Sequence, residues 1–480
     1  MYLPTIGLEI HVELKTKTKM FCSCRNDSEE AKPNVNVCPI CLAHPGTLPV
    51  INREAVASVI RLGYALNGTI AGISHFDRKS YFYPDLPKGY QITQNDEPLV
   101  SGGILKGIRL RRVHLEEDTG RLLHALPGQP ESESKATYVD YNRAGVPLME
   151  LVTEPDVKTA EEAVAFATEL RLILRYLGIS DADMEKGQMR VEANISVRKH
   201  EEDEWGTKVE VKNINSFRAV GLAIAFELER QERVLEEGGT VIQETRGWND
   251  VLGRTESQRS KESAHDYRYF PEPDLPPLDT SAWDLAELKA SIPELPEAKR
   301  NRFVEQYGVD RKTADTFVEN RPLADYFESA ASELAAYRPG SDVQPLVNYL
   351  TSDIRGILNA RGMEIAKLKI RPEHLARLVA LIADGKLSSR LAKDLLPKMA
   401  DTGTDPEELM RDLGMAIVSD DESLRAVARE IIAANPKAVE DFGKGKSNAL
   451  QFLVGQGMMK TKGQASPDEL RRIIGEELAA

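Results

Sequence analysis

Hydrophobic and polar residues alternate strictly along residues 7–14 of the chain. The apolar positions are Leu8, Ile10, Val12 and Leu14. Because successive side chains of a β-strand point to opposite faces, the alternation predicts a strand whose second face presents Glu9, His11 and Glu13. Such a face can bind a hard divalent cation through its carboxylates, with the imidazole as a further ligand or proton carrier. The alternative is the solvated face of an amphipathic strand.

The alternation returns in two later segments of the chain. Apolar residues separate Arg190, Glu192 and Asn194 within residues 189–198. In residues 208–212 the polar positions are Lys208, Glu210 and Lys212. Three more carboxylates stand near apolar residues, and they belong to Glu116, Glu117 and Glu150. Several short strands that each place an acid and a base on one polar face predict a curved antiparallel sheet holding a metal and a phosphate ligand.

Two helices interrupt the strand-like pattern of the first 275 or so residues. The first is predicted to begin at Thr159, where Glu162 completes a capping box, and to end at Gly178. The second is predicted to begin near Ser216 and to end at Gly238. We expect both helices to cover the apolar face of the sheet.

A proline-rich segment at residues 270–277 marks a change in organisation. Closely spaced prolines exclude helix, so we expect an extended strap there. Beyond it, apolar spacing of three and four residues predicts helices near residues 297–306, 322–336, 343–361, 372–384, 388–399, 406–413, 421–434, 436–456 and 467–478. With a second hinge at residues 401–406, the predicted class is α+β. The predicted domains are a sheet domain at 1–292, an all-α domain at 293–403 and a small helical tail domain at 404–480.

All four cysteines of the 480 residues lie in one short segment, at Cys22, Cys24, Cys38 and Cys41. Two close pairs separated by a loop match the spacing of a closed four-thiolate zinc site, so we expect structural Zn²⁺ bound within residues 22–41. The alternatives are reduced loop thiols and a redox pair. A redox pair is disfavoured because no thioredoxin-like strand and helix flank the second pair.

Net charge and hydropathy narrow the classes of function. The formal net charge of −14 excludes a protein that coats nucleic acid nonspecifically, because phosphate binding needs a basic surface. The sequence contains neither a signal peptide pattern nor an apolar run of membrane-spanning length, so we expect a cytoplasmic protein without membrane association. Clustered cysteines agree with a reducing compartment.

One segment of the acidic chain is locally basic. Residues 442–467 contain no acidic residue and four lysines, which are Lys444, Lys446, Lys460 and Lys462. Five glycines in the same segment allow close approach of the backbone to a phosphate ribbon. The alternative is a solvated lysine face on a helical module.

Long motifs of the chain resemble the B subunits of the aspartyl/glutamyl-tRNA amidotransferases. The motifs occupy residues 6–14, 76–85 and 266–274, with shorter ones at 114–118, 206–208 and 452–456. The resemblance runs from end to end and implies a glutamine synthetase-like cradle, then a helical domain and a tRNA-binding tail. It also implies a heterotrimer in which the partners are an amidase and a small third protein, the A and C subunits of these enzymes. The cysteine pairs resemble those of family members that keep a zinc site.

The resemblance further implies an ATP-dependent ligase activity with Mg²⁺. A protein of this family would phosphorylate the side-chain carboxylate of Glu-tRNA(Gln) or Asp-tRNA(Asn), and ammonia that the amidase releases from glutamine would displace the phosphate. The implied catalytic residues are Glu9, His11, Glu117 and Glu210. The implied Mg²⁺ ligands are Glu9, His11, Glu116, Glu117, Glu150, Glu192 and Glu210, although the family more often has Asp at position 192. The implied phosphate-binding residues are Lys79, Arg190, Lys208 and Lys212, and the implied tRNA contacts are Lys444, Lys446, Lys460 and Lys462.

Structural explanations exist for individual residues of this set. Glu150 can serve as a salt-bridge partner on a turn, and Lys79 can pack its stem on the ring of Tyr81 or Tyr83. Two other functions also remain open for the whole chain. One is an ATP-dependent ligase for a free amino acid, and the other is a noncatalytic, zinc-containing tRNA-binding subunit.

Overall fold

A large β-sheet organises the first of two structural units. The computed structural model describes residues 2–125, 136–260, 267–414, 421–444, 446–461, 465 and 467–479. Contacts divide the chain into Met1–Pro296 and Glu297–Ala480. The first unit combines the sheet with helices and the second is helical, so the predicted α+β class is confirmed.

The strands of the first unit follow the chain from its N-terminus. They are β1 Leu3–Glu13, β2 Thr69–Ile70, β3 Ile73–Ser74, β4 Asp77–Ser80, β5 Tyr90–Thr93, β6 Val100–Ser101, β7 Ile104–Leu105, β8 Ile108–Glu117, β9 Arg121–Leu123, β10 Tyr138–Asp140, β11 Pro147–Thr153, β12 Met189–Arg198, β13 Val209–Ile214, β14 Glu244–Asn249, β15 Arg254–Ser260, β16 Phe270–Pro271 and β17 Leu278–Asp279. The main sheet has the order β15-β14-β13-β12-β1-β11-β8-β6-β2, with β7 also paired to β8. The sheet is therefore antiparallel, as predicted, except for the parallel pair of β13 and β14.

Among the described residues of this unit, the α-helices that accompany the sheet are α1 Arg53–Ala65, α2 Ala160–Leu177, α3 Phe217–Glu236 and α4 Leu285–Ala290. The two predicted helices are confirmed as α2 and α3, with Thr159 and Ser216 as their N-caps. Helix α1 was not predicted. Its N-cap is Asn52, whose side chain accepts hydrogen bonds from the first-turn amides, and its apolar residues pack into the sheet core.

The extended strap predicted at residues 270–277 is confirmed only in part. Phe270–Pro271 form β16, which pairs with β4 in a small sheet with β5, but the chain then turns at residues 273–275, where the N–H of Leu275 donates to the carbonyl of Glu272 at 3.4 Å. Arg78 on β4 donates two hydrogen bonds to the buried Glu272 carboxylate, at 2.7 and 2.8 Å, and one to Asp274 at 3.1 Å. Its guanidinium also lies 4.2 Å from the ring centroid of Tyr90. A bidentate pair of this kind fixes both distance and orientation, so the strap is held against β4 and β5.

As far as the structure describes it, the second unit is built from helices around two hydrophobic cores. The helices are α5 Pro296–Tyr307, α6 Arg311–Val318, α7 Arg321–Tyr337, α8 Gln344–Asn348, α9 Arg355–Arg361, α10 Pro372–Ala383, α11 Ser389–Thr402, α12 Pro406–Asp412, α13 Asp421–Ala434, α14 Pro436–Gly443, α15 Ser447–Lys460 and α16 Pro467–Ala479. The first core extends from Phe303 to Leu409 and the second from Leu424 to Ile474. No helix among the described residues combines the length and apolarity that crossing a bilayer requires.

Two helix predictions in the second unit need correction. The single helix predicted at 436–456 is wrong, because α14 ends at Gly443 and α15 begins at Ser447. Glycine is a weak helix former, and Gly443 stands at this break. Helix α6 was not predicted, because its eight residues are too few to show clear periodicity. The helix predicted at 343–361 is confirmed, with a π-helical segment, Tyr349–Ile354, joining α8 to α9.

Candidate catalytic site and cysteine site

The strand register brings four polar residues into one row across the sheet. Arg190 of β12 is paired with His11 of β1, and His11 is paired on its other side with Glu150 of β11. Glu150 is in turn paired with His114 of β8. Directly opposed residues of an antiparallel pair point to the same face, so the row presents two imidazoles, a carboxylate and a guanidinium together.

Acidic side chains from β1, β8 and β11 surround these two imidazoles. His11 Nε2 lies 3.4 Å from Glu150 Oε2 and 3.9 Å from both Glu9 Oε1 and Glu116 Oε2. His114 Nε2 lies 3.5 Å from Glu116 Oε1 and 3.5 Å from Glu150 Oε2. We call these five residues the acidic cluster. It contains two potential metal-binding groups, Glu9 with His11 and Glu150, and His114 with Glu116 and Glu150.

Burial and mutual charge perturb the pKa values within the acidic cluster. Burial and the charge of Glu150 raise the pKa of Glu9 to about 7. Burial by itself lowers the pKa of His11, but the hydrogen bond to Glu150 and the charges of Glu150 and Glu116 outweigh it and raise that pKa to about 9. Burial opposes ionisation of Glu116, yet His114 and Lys79 hold its pKa below the usual range. The cluster therefore concentrates negative charge in a site largely shielded from water.

Three of the predicted phosphate-binding cations border this negative charge. Burial lowers the pKa of Lys79, but the charge of Glu116 and other nearby groups raises it above the ordinary value. The Lys79 ammonium also lies 5.0 Å from the ring centroid of Tyr267, so a ring does pack against it, although not one of those predicted. Arg190 donates to Asp118 at 2.7 Å, and Lys212 lies 2.7 Å from Glu192.

The other predicted site residues lie at the edges of this arrangement. The Glu117 carboxylate contacts the Lys88 ammonium and accepts the backbone N–H of Ile92 at 3.0 Å. Glu210 accepts a hydrogen bond from Thr245 at 2.8 Å and lies 3.4 Å from Lys212. The side chain of Lys208 is exposed, immediately before β13. The structure thus groups Glu9, Glu116 and Glu150 around His11, and gives Glu117 and Glu210 separate partners.

Sequence reasoning missed several residues that complete the cluster. His114 received no role from the sequence, although the period-two rule places it on the face of Glu116. Gln91 donates to Glu116 at 3.1 Å, and Thr93 also donates to that carboxylate. Neither residue could have been found from spacing, because β5 approaches β8 only in the folded chain.

The donor set of the acidic cluster fits a hard cation. Three of its five members offer carboxylate oxygens, which are the ligands that Mg²⁺ prefers, and two offer imidazole nitrogens. Within the cluster the pKa of Glu9 is raised and that of Glu116 is lowered. Strongly perturbed pKa values of this kind are common at functional sites.

The four cysteine sulfurs meet in one place, as the spacing predicts. All four Sγ atoms lie within 4.8 Å of one another, and those of Cys38 and Cys41 are 3.9 Å apart. Zn–S bonds of about 2.3 Å in a tetrahedron place neighbouring sulfurs about 3.8 Å apart, so the arrangement fits Zn²⁺. The same separation is too long for a disulfide, and all four cysteines are free.

Cys41 has the environment that most favours the thiolate form among these cysteines. Its Sγ accepts the backbone N–H of Cys38 at 3.1 Å. A hydrogen bond from Cys22, the Cys38 amide and the charge of Lys19 together overcome burial and lower the pKa of Cys41 to about 5. A thiolate is the form that binds metal. A cavity of about 240 Å³ borders this cysteine site and also contacts Lys88 and Glu117.

Comparison with known proteins identifies the family. A model of the GatB/GatE catalytic domain matches residues 4–285, which include the acidic cluster and the cysteine site, and a model described as GatB domain matches residues 325–478. The chain belongs to the GatB family. It is 46% identical over 486 residues to the B subunit of the aspartyl/glutamyl-tRNA(Asn/Gln) amidotransferase of Thermoanaerobacter pseudethanolicus, with 100% of this chain and 99% of that protein covered.

The B subunits of the same amidotransferase from two other organisms are similar over comparable lengths. The protein of Carboxydothermus hydrogenoformans is 46% identical over 488 residues, with 100% of this chain and 99% of that protein covered. The protein of Synechocystis sp. is 44% identical over 492 residues, with 100% of this chain and 98% of that protein covered. The resemblance carried by the sequence motifs is therefore confirmed along the whole chain.

Acidic side chains lie close to the lysines of the basic segment, residues 442–467, in the folded GatB chain. The described lysines each lie beside an acidic residue from outside the segment, in the pairs Lys444 with Glu440, Lys446 with Asp441 and Lys460 with Glu430. Lys462 lies outside the described residues. Exposed pairs of this kind contribute little to stability, so the lysines can exchange these partners for phosphates at low cost.

Proposed function

We propose that this chain is the carboxylate-activating subunit of a tRNA-dependent amidotransferase. In this function it phosphorylates the side-chain carboxylate of Glu-tRNA(Gln) or Asp-tRNA(Asn) with ATP, and ammonia then displaces the phosphate. The observation that carries the proposal is the row of Arg190, His11, Glu150 and His114 within a domain of the GatB family. It places anionic ligands beside cations on a single sheet face, as phosphoryl transfer requires.

The chemistry explains why this face needs both signs of charge. A carboxylate is a poor acyl donor to ammonia until one of its oxygens becomes a leaving group. Phosphoryl transfer spreads negative charge over the transferred oxygens, so positioning and electrostatic stabilisation supply most of the catalysis. Bound Mg²⁺ would supply Lewis-acid charge there, held by Glu9, His11 and Glu150, with Glu116 beside them. The protein itself needs no nucleophile for this reaction.

The cations of the site would receive the phosphate groups. Lys79 and Arg190 border the acidic cluster, and Lys212 and Lys208 follow along the sheet toward β13. We assign Glu192 and Glu210 as further metal or polar ligands. The Lys212 ammonium lies within 3.4 Å of both carboxylates. We also propose that Glu117, whose carboxylate contacts the Lys88 ammonium, is a catalytic residue.

The proposal extends to architecture and partners. The sheet unit would form a glutamine synthetase-like cradle, and Zn²⁺ in the cysteine site would hold residues 22–41 in a scaffolding role. The chain would assemble into a heterotrimer with an amidase, which hydrolyses glutamine, and a small third protein. Because its substrates are aminoacyl-tRNAs, we expect it to act in the cytoplasm.

The decisive experiment measures ADP release by the assembled heterotrimer. We expect rapid ADP release with Glu-tRNA(Gln) or Asp-tRNA(Asn), and background release with free glutamate or with correctly charged Glu-tRNA(Glu). The physical reason is that the carboxylate must be delivered into the acidic cluster by its tRNA. Rapid release with free glutamate would support the amino-acid ligase instead, and no release with any substrate would support a noncatalytic role for the chain.

We further propose that the helical tail binds tRNA through Lys444, Lys446, Lys460 and Lys462. Changing the three described lysines to glutamine should weaken tRNA binding and lower its dependence on salt. If each contacts one phosphate, the slope of log K against log salt should fall by roughly 2 to 3. Filter binding at several salt concentrations measures this slope.

A matched set of substitutions separates local contacts from net charge. Lys312, Lys386 and Lys398 are exposed lysines on or beside other helices of the same unit, and their triple glutamine variant changes the net charge equally. We expect that variant to keep the wild-type slope. Equal losses in the two variants would show that the tail lysines have no special role.

A further inference from the structure

Lys19 is a fully buried lysine whose ammonium lies beside a cysteine sulfur. The residue has 0% of its surface exposed. The ammonium donates a hydrogen bond to the carbonyl oxygen of Tyr141 at 3.2 Å and lies 3.9 Å from Cys41 Sγ. Within the described part of the chain, no carboxylate lies within 4.0 Å of this ammonium.

A charge buried in this way needs a compensating charge. Burying an unpaired ammonium costs several kcal/mol, and buried charges in proteins are normally paired or bound to metals. A neutral carbonyl such as that of Tyr141 satisfies one donor but does not neutralise the charge. An anionic cysteine site beside Lys19 would supply the missing charge.

A metal-bound cysteine site supplies that negative charge. Four thiolates around one divalent zinc ion leave an excess of two negative charges. In a largely buried site this excess is costly unless a cation stands close by, because the effective dielectric is low. Cys41 is a buried member of the set and is the cysteine that Lys19 approaches.

The backbone fixes Lys19 in this position from both sides. Its own N–H donates to the carbonyl of Cys24 at 2.9 Å, so the residue is tied to the first cysteine pair. Its carbonyl accepts a hydrogen bond from the Asn52 side chain at 3.2 Å. Gly145 packs over the contact, since a Cβ there would lie 3.6 Å from both Lys19 Cδ and Cys41 Cβ. The lysine stem therefore has little freedom to turn away from the sulfur.

We propose that Lys19 is a positioning residue of the cysteine metal site. It is not a ligand. Its ammonium, buried beside Cys41, offsets the excess negative charge of the zinc tetrathiolate. Such outer partners commonly change metal affinity by about 10- to 100-fold. This inference rests on the proposed zinc occupancy of the site.

The test measures zinc retention in the assembled complex. Lys19→Met removes the charge and keeps an unbranched stem of similar length. We expect zinc transfer to a chromogenic chelator to be at least about 10-fold faster in this variant than in the wild type. Lys17→Met is the matched control, because Lys17 is exposed and only two residues away. It should release zinc at the wild-type rate.

A second readout distinguishes charge compensation from simple packing. The thermal midpoint is measured with and without zinc for the wild type and Lys19→Met. Charge compensation predicts that the substitution lowers the midpoint of the zinc-loaded form more than that of the metal-free form, whereas a packing role predicts equal shifts. Should Lys19→Met fail to accumulate, Lys19→Gln, which keeps an N–H donor for Tyr141, is measured in its place.

The outcomes separate this inference from the proposal beneath it. A wild-type complex without zinc would overturn both the zinc assignment and the role of Lys19. A zinc-containing wild type from which Lys19→Met loses metal no faster than Lys17→Met would overturn the role of Lys19 alone. ATP-dependent amide formation is measured separately, so loss of the proposed catalytic function would not be confused with either result.

Discussion

Changing His11 to alanine is expected to abolish ATP-dependent amide formation while glutamine hydrolysis by the assembled complex continues. The imidazole of His11 contacts three carboxylates of the acidic cluster, and its removal leaves Glu9, Glu116 and Glu150 without their shared partner. His114 still contacts Glu116 and Glu150, but without the His11 imidazole the three carboxylates repel one another more strongly and hold a cation in the wrong geometry. We expect a fall of at least about 100-fold in the rate of amide formation, the size typical of losing one preorganised electrostatic group.

The measurement follows conversion of Glu-tRNA(Gln) to Gln-tRNA(Gln) together with glutamate release from glutamine. His75→Ala serves as the control, because His75 is partly exposed and its imidazole lies 3.0 Å from Glu97 at the surface. That variant should form amide at the wild-type rate. Glu117→Ala should also stop amide formation. Normal activity of His11→Ala would refute the assignment of the acidic cluster.

Changing Cys41 to serine is expected to release the zinc and unfold the loop of residues 22–41. Cys41 is a buried thiol within 4.8 Å of the other three sulfurs, and a serine hydroxyl is a much weaker ligand for zinc. Structural zinc sites contribute on the order of 10 kcal/mol to local folding, so the loss should lower the thermal midpoint and expose the loop to protease. Metal analysis and limited proteolysis of the purified complex measure both effects.

Ser23→Ala provides the control for this substitution. Ser23 stands between the first two cysteines and is exposed, so its loss should change neither the zinc content nor the cleavage pattern. The chain has no fifth cysteine that could replace the missing ligand. If Cys41→Ser kept one equivalent of zinc with wild-type protease resistance, the four-thiolate site would be excluded.

Local periodicity predicted the elements that form the site. The alternation of residues 7–14 correctly assigned the two faces of β1, because Leu8, Ile10 and Val12 are buried and the acidic side chains lie on the other side. The same rule placed Glu192 and Arg190 on the polar face of β12. Caps predicted α2 and α3 for a similar reason, since a cap is a contact between residues three positions apart.

Contacts between distant segments were beyond such rules. The sequence grouped Glu117 with the other carboxylates, but in the structure its carboxylate contacts the Lys88 ammonium and accepts the backbone N–H of Ile92. Residues 442–467 contain no acidic residue in the sequence, but in the structure Glu430 of another helix contacts Lys460. In both cases the deciding partner lies far along the chain or on another element, where periodicity carries no information.

The sequence by itself determined which residues share a strand face, where α2 and α3 begin and end, and that the four cysteines stand as two close pairs. These features depend on the fixed geometry of neighbouring residues along one backbone. Only the tertiary structure decided that β12, β1, β11 and β8 lie side by side in a register that aligns Arg190, His11, Glu150 and His114. It alone also placed the Lys19 ammonium beside Cys41. Strand pairing and burial are set by the packing of the whole core, and a shift of one residue in register would have dispersed the same side chains to opposite faces.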